Sequence, residues 1–262
     1  MDLRLTGRTA LVTAATGGLG LEMARALAAE GASVHINGRT DTSVQAAIDL
    51  IRAEDPHADV RGVVGDCGTR EGCAHVIGQL PDVDILINNL GVYESQSILE
   101  STDEDWLRLF EINILSGIRV TRHYLPGMLE RDRGRVLFIA SEAAVMPSLE
   151  LPHYSATKTM ELSISRSFAE TTKDTRVTVN SLLPGSSRTD GVAALVQELY
   201  PDDGYEQAEQ RFMAQNRPTS LLGRLIDPDE IAQIVMFLVS DASSAFNGAA
   251  LRADGGIVRT VF

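Results

Sequence analysis

Seven short and almost wholly apolar runs recur along this chain, each separated from the next by a longer stretch of helical character. They are RTALVT (8–13), SVHIN (33–37), VRGVV (60–64), DILIN (84–88), RVLFIA (135–140), RVTVNSLL (176–183) and ALRA (250–253). The intervening pattern predicts helices over 20–30, over 42–54 ahead of Pro56, and up to Leu80. Further helices are predicted from a Thr102 cap to about Arg131 with a kink near Pro126, over 154–172, and from Pro228 onward. Strands that are apolar on both faces belong to a sheet covered on both sides. Their alternation with helices predicts a mostly parallel sheet of seven strands, a doubly wound α/β fold.

Residues 186–226 break the rhythm, being rich in Asp, Glu and Gln and interrupted by Pro201, Gly204 and Pro218. A connection of that length is expected to serve as a lid over a binding site. Nothing else resembles a linker or a repeat, so 1–262 reads as one domain carrying that lid. No apolar run reaches the ~18 residues of a membrane span, and the N-terminus lacks the pattern of a secretory signal. Cys67 and Cys73 are too few for a disulfide framework. The expectation is a cytoplasmic chain with free thiols and no membrane partner. A net charge of −13 argues against nucleic acid, whose phosphates it would repel. The five histidines form no ligand-spaced cluster, so no metal site is expected.

The first strand runs straight into TAATGGLG (13–20) and then a helix. At that position glycines let the backbone approach a pyrophosphate, and the helix N-terminus offers free N–H groups and partial positive charge. Thr13, Gly18, Leu19 and Gly20 are the candidate contacts. A unit that binds NAD carries Asp or Glu about twenty residues further on, to accept from the ribose hydroxyls. Here the second strand ends in INGRT, and Arg39 suits the 2′-phosphate of NADP instead. NADP(H) is therefore preferred over NAD(H).

Only two lysines stand in this arginine-rich chain, and one of them, Lys158, lies four residues after Tyr154 in YSATK. That spacing puts both side chains on one helix face. A phenol, with an unperturbed pKa of about 10, needs a nearby cation before it can act as a base at neutral pH. A compact ammonium on a flexible stem fills that role better than a rigid guanidinium fork.

Taken together these residues resemble the short-chain dehydrogenase/reductase family over essentially the whole chain. The likeness comprises TAATGGLG, Asp66 after the third strand, NNLG (88–91), Asn113, and Ser141 thirteen positions before Tyr154-x-x-x-Lys158. It ends with PGSSRT (184–189) and the DGG of 254–256. The resemblance implies a Rossmann-type fold and hydride transfer between nicotinamide and a carbonyl or secondary alcohol. Tyr154 would exchange the substrate proton, with Ser141 hydrogen-bonding the carbonyl oxygen. Asn113 would anchor a water that relays protons through Lys158. For the cofactor it implies Gly18 and Gly20 at the pyrophosphate, Asn89 and Gly91 beside the adenosine half, and Asp66 at the adenine. Thr189 would meet the carboxamide, and the backbone of Pro184 and Gly185 would close over the ring. Two positions depart from the family pattern. Ala14 replaces the first loop glycine and is compatible only with a negative φ. Leu90 brings a larger side chain near the cofactor.

The substrate is expected against residues 142–153, the lid and the segment after Gly91. Met146, Leu149 and Leu151 would form an apolar wall, with Glu142, Glu150 and Tyr93 as polar candidates, suiting a neutral or mostly apolar compound. His153 is expected at a pocket wall or the surface, since neighbours on a helix diverge. The branch is similar to 3-oxoacyl-[acyl-carrier-protein] reductases, for which RDRGR (131–135), Arg119 and Arg122 offer a basic patch. The resemblance also implies a homotetramer or homodimer built on the two long helices and the C-terminal segment. A non-catalytic nucleotide-sensing protein on the same fold is the competing reading, as fold does not fix function. An epimerase or dehydratase is disfavoured by the short C-terminal part. Arg39→Ala is expected to lower kcat/KM with NADPH by about 10- to 100-fold, the worth of a charge-assisted contact, and to leave the value with NADH unchanged.

Overall fold

The computed structural model describes residues 3–261. Seven strands form one sheet: β1 (Thr9–Val12), β2 (Ser33–Gly38), β3 (Val60–Val64), β4 (Ile85–Asn88), β5 (Arg135–Ile139), β6 (Thr178–Pro184) and β7 (Ala250–Ala253). Their spatial order is β3-β2-β1-β4-β5-β6-β7, and every neighbouring pair is parallel. The sheet is therefore parallel throughout. The helices are α1 (Gly18–Ala29), α2 (Asp41–Glu54), α3 (Arg70–Gln79), α4 (Asp103–Leu109), α5 (Ser116–Glu130), α6 (Pro152–Glu170), α7 (Asp190–Leu199), α8 (Tyr205–Asn216) and α9 (Pro228–Val239).

Strand alternation divides the core in two. Ile85 and Ile87 of β4 and Leu137 and Ile139 of β5 face α1, α2 and α9, where Met23, Leu27, Ile48 and Val235 are buried. The intervening Leu86, Val136 and Phe138 face α3, α5 and α6, against Val76, Tyr124 and Met128. Each strand is thus apolar on both sides because each side meets a helical layer. This is the doubly wound arrangement that the alternation predicts.

The predicted helix over 103–131 is not uniform. Its Thr102 capping box is present, but Phe110–Leu115 is wound as a π-helix between α4 and α5. Helix α5 runs through Pro126, so the break in α-helical winding falls a full segment earlier than expected. The segment 186–226 is not an open loop either. It folds as α7 and α8 around a small core of Val196, Ala208, Phe212, Met213 and Leu225, and a parallel bridge between Ser187 and Ile226 closes its base.

Both departures in the glycine region come out differently from expectation. Ala14 has φ +51, not a negative value. Three hydrogen bonds hold this left-handed turn: the Ala14 N–H donates to Asn37 Oδ1 (3.2 Å), the Ala15 N–H to the Asn37 carbonyl (2.8 Å), and Asn89 Nδ2 to the Ala14 carbonyl (3.1 Å). The surroundings over-determine the conformation at a cost of about 1–2 kcal/mol for a side chain in this region. Leu90 packs into the core beneath α3 and α5 rather than toward the open end of β4. Because the strain outweighs the extra freedom that glycine brings to the unfolded chain, Ala14→Gly is expected to stabilise the protein by about 0.5–1 kcal/mol. A urea titration with unchanged m-value reads this.

Candidate active site

All the C-terminal strand ends lie on one rim, and the order of the sheet reverses between β1 and β4. Open α/β sheets bind ligands at that switch point. A cavity of about 690 Å³ lies there, lined by the loop after β1 (Ala14, Gly17 to Gly20), by Asn89 and Gly91 after β4, by Ser141 after β5, by Tyr154 and Lys158 of α6, and by Pro184, Gly185 and Thr189 after β6. Most of the expected site residues therefore converge.

The loop fits a dinucleotide. A Cβ on Gly20 would fall 2.6 Å from the Ala14 carbonyl oxygen and 2.6 Å from Asn89 Nδ2, so only glycine allows this close turn. Helix α1 begins at Gly17 with no side-chain cap, whereas threonines cap α2, α3, α4 and α7. Its first N–H groups are thus open to an anion where the cavity lies. Arg39 is exposed at the end of β2 and has no recorded partner among the described residues.

Three expected cofactor contacts do not line the cavity: Thr13, Arg39 and Asp66. Thr13 is buried, and its hydroxyl accepts from the Asn89 and Leu90 N–H groups at 2.9 and 3.1 Å, which ties the end of β4 to β1. Asp66 Oδ1 accepts from the Gly68 N–H at 2.9 Å in a turn. Asn113 lies in the π-helical segment. Its Oδ1 accepts from the Val92 N–H (2.8 Å), while Nδ2 donates to the Val92 carbonyl (2.9 Å) and to Thr157 Oγ1 (3.0 Å). An asparagine inside a helix has its reason here: it fastens the chain after β4 to α6. Both of its amide hydrogens are occupied in doing so.

The polar groups around Tyr154 are tightly bound to one another. Ser141 Oγ donates to Glu142 Oε2 at 2.6 Å and accepts from the Ala143 N–H. Glu142 is paired with Arg217 at 3.2 Å, and Arg217 reaches Glu150 at 2.7 Å, Ser148 Oγ at 3.1 Å and Ser186 Oγ at 3.1 Å. Lys158 Nζ donates to the Ile139 carbonyl and to both oxygens of Glu161. It lies 5.7 Å from the centre of the Tyr154 ring, against which Tyr93 packs edge-on at 5.6 Å. Burial, then the charges of Glu142 and Glu161, hold the Tyr154 phenol well above its ordinary range, against a smaller downward pull from Ser141. Burial pushes Tyr93 up to about 12.

Several substrate-side expectations need correction. Leu151 lines the cavity, but Leu149 is exposed and Met146, half-buried, is not part of the wall. In their place stand Glu142, Ser148 and Arg217. His153 is neither at the surface nor on the pocket wall. It is buried with its ring edge against Trp106, and burial lowers its pKa. The arginines of RDRGR are engaged internally: Arg131 with Asp82, Arg133 with Asp84, and Arg135 with Asp241. Arg119 is paired with Glu111.

Arg217 and Glu161 escape sequence reasoning. Arg217 follows α8 in a polar segment without a motif, and Glu161 reads as one half of a surface ion pair three residues after a lysine. Only an unusual acid one turn beyond YSATK marked it.

A cavity at the switch point, an uncapped glycine-rich helix start and a tyrosine and lysine on one helix define a nucleotide-dependent oxidoreductase fold. The sequence model of the short chain dehydrogenase family matches residues 8–199, and the chain belongs to that family. Its relatives include the uncharacterized oxidoreductase YvaG of Bacillus subtilis, 53% identical over the full length of both chains. The D-beta-hydroxybutyrate dehydrogenase of Cupriavidus necator is 33% identical over 97% of this chain and 99% of its own. The structure of L-sorbose reductase from Gluconobacter frateurii, complexed with NADPH and L-sorbose, superposes with a TM-score of 0.92 at 28% identity and covers both chains completely.

Arg217→Met would leave the buried Glu142 and the half-buried Glu150 without their counter-charge, and a loss of about 3–5 kcal/mol is expected in chemical denaturation.

Proposed function

We propose that this protein is an NADP(H)-dependent oxidoreductase that moves a hydride between nicotinamide and a small carbonyl or secondary alcohol, with Tyr154 as its acid and base. The observation that carries the reading is the meeting of Tyr154, Ser141 and Lys158 at one end of a cavity whose other end is the open N-terminus of α1. NADP(H) over NAD(H) is supported by the unpartnered Arg39 and by the NADPH in the L-sorbose reductase neighbour. When bound, the nicotinamide supplies or takes the hydride. Gly18, Leu19 and Gly20 would hold the pyrophosphate, Asn89 and Gly91 the adenosine half, and Pro184, Gly185 and Thr189 the nicotinamide end.

In the reductive direction Tyr154 gives its proton to the oxygen of the substrate, and in the oxidative direction it takes that proton. The raised phenol carries its proton at neutral pH and so has one to give, although a raised phenol is also the weaker acid. Ser141 can donate to a carbonyl only by turning its proton away from Glu142. Arg217 supports that turn, because its Nε keeps the carboxylate compensated when the serine leaves. Asn113 fastens Val92 and Thr157 beside the site through its side-chain amide, and in this reading it also anchors the water of the proton relay.

The cavity also narrows the substrate class. Glu94, Glu142, Asp190 and Glu198 line it, against Lys158 and Arg217. Glu94 is paired with Arg108, Glu142 with Arg217 and Lys158 with Glu161, which leaves the excess negative charge on Asp190 and Glu198. Acidic substrates would be repelled, whereas a neutral carbonyl compound bearing hydroxyls finds Ser95, Ser148 and the carboxylates as partners. L-sorbose, in the neighbouring structure, is of that kind. The intact Tyr154, Ser141 and Lys158 weigh against a purely nucleotide-sensing role. The spent arginines around 131–135 weigh against delivery by an acidic carrier protein. In this reading residues 186–226 act as a lid. Assembly into dimers or tetramers rests on the exposed Leu107, Phe110 and Met160.

Tyr154→Phe is expected to lower kcat by at least about 100-fold, the usual worth of a general acid, while NADPH binding followed by nucleotide fluorescence stays intact. Full turnover in that variant would remove the mechanism. A screen of ketoses, hydroxyketones and keto acids by nicotinamide absorbance tests the substrate class, and turnover of keto acids alone would overturn it.

A further inference from the structure

Lys158 has three N–H hydrogens, and all three are committed. One goes to the Ile139 carbonyl at 2.8 Å, and the others to the two carboxylate oxygens of Glu161 at 3.0 and 2.9 Å. The two side chains lie one turn apart on α6 with only 3% and 6% of their surfaces exposed, and Lys158 is the recorded partner of Glu161 among the described residues. The cation expected to favour the phenolate of Tyr154 is therefore neutralised by an anion on the same helix. Isolated buried carboxylates are expensive, so a carboxylate kept in this place calls for a role beyond packing.

We propose that Glu161 is a positioning residue of the reaction, its buried carboxylate holding Lys158 in place and opposing the phenolate form of Tyr154. The inference rests on the reading of Tyr154 as acid and base given above. One other charge around α6 presses on the Tyr154 phenol more strongly than Glu161 does. Glu142, from the turn after β5, also faces Tyr154 but is paired with Arg217. Tyr93 adds a smaller upward push. Asp105 and Arg108 of α4 face the His153 end of α6, Glu111 of the π-helical segment is bound to Arg119, and Arg135 at the far end of β5 is bound to Asp241.

Burial raises the Glu161 carboxyl to about 7, with Lys158 pulling it back down by less. Above that pH the carboxylate is charged, grips Lys158 and disfavours the phenolate. Below it the carboxyl is neutral and its grip on the ammonium loosens. A neutral side chain at 161 should thus behave at every pH as the wild type does in acid.

Two measurements test this. The first is the pH profile of alcohol oxidation, which needs the phenolate. Glu161→Gln should move its midpoint to lower pH by about one unit or more, the usual effect of removing one nearby charge, and the two enzymes should converge below about pH 6. An unmoved or raised midpoint in a variant that still binds NADPH overturns the proposal. The second needs neither activity nor cofactor. With only Lys158 and Lys173 in the chain, carbon-13-labelled lysine yields two side-chain signals in the NMR spectrum. The Lys158 signal of the wild type should titrate between about pH 6 and 8, reporting Glu161, and Glu161→Gln should lose that step. A Lys158 signal that is the same in the wild type and in both Glu161→Gln and Glu161→Leu overturns the proposal. If instead Tyr154→Phe turns over fully, the catalytic reading fails while the titration of the Lys158–Glu161 pair still stands.

Discussion

Parallel pairing is the constraint from which the rest of this structure follows. Two adjacent parallel strands cannot be joined by a tight turn, so each connection must cross the sheet, and here every crossing carries a helix. All C-terminal strand ends then fall on one rim. Residues far apart in sequence meet there: the loop after β1, Asn89 after β4, Ser141 after β5 and Pro184 after β6. The reversal between β1 and β4 opens a crevice at the middle of that rim. Asn37, Asn89 and Thr13 stitch the ends of β1, β2 and β4 together at this point, which is what holds Ala14 in a conformation that a side chain normally avoids.

Around Tyr154 the site that results is rich in charge yet almost free of unpaired charge. Arg217 is shared between Glu142 and Glu150, and Lys158 is shared between Glu161 and a strand carbonyl. Such buried pairs add little net stability, since desolvation offsets most of their attraction. Their effect is to fix orientation. Ser141 is held through Glu142 by a residue of the segment 186–226, so movement of that segment and the hydrogen bonding of the serine are coupled through one guanidinium. Tyr154 stands among two carboxylates and one lysine, and burial first, then the two carboxylates, hold its proton on.

Much of this was legible in the residues themselves. The seven strands were found because apolar runs covered on both faces cannot be mistaken for amphipathic helices, and their boundaries differ by only a residue or two. Tyr154, Lys158, Ser141 and the glycine loop were marked by spacing. The failures share a cause: the outcome depended on what packs against the residue. The sign of φ at Ala14 was set by hydrogen bonds from Asn37 and Asn89. Helical winding at 110–115 changed where Asn113 reaches Val92 and Thr157. Leu149 is left exposed and Met146 half-buried outside the expected wall, and the arginines of RDRGR found acids on distant elements.

The sequence by itself determined the fold class, the rim of the sheet and the placing of Tyr154 and Lys158 on one helix face, because these depend on local periodicity and fixed spacing along the chain. Only the tertiary structure decided which charges those residues feel. Arg217 reaches Glu142 across 75 positions of sequence, and a pairing of that kind leaves no periodic trace. Glu161 lies close in sequence to Lys158, but whether that carboxylate was solvated or buried depended on the layers folding over α6. In water it would be an ordinary surface ion pair. Enclosed beside Tyr154, it becomes a group whose charge bears on the reaction.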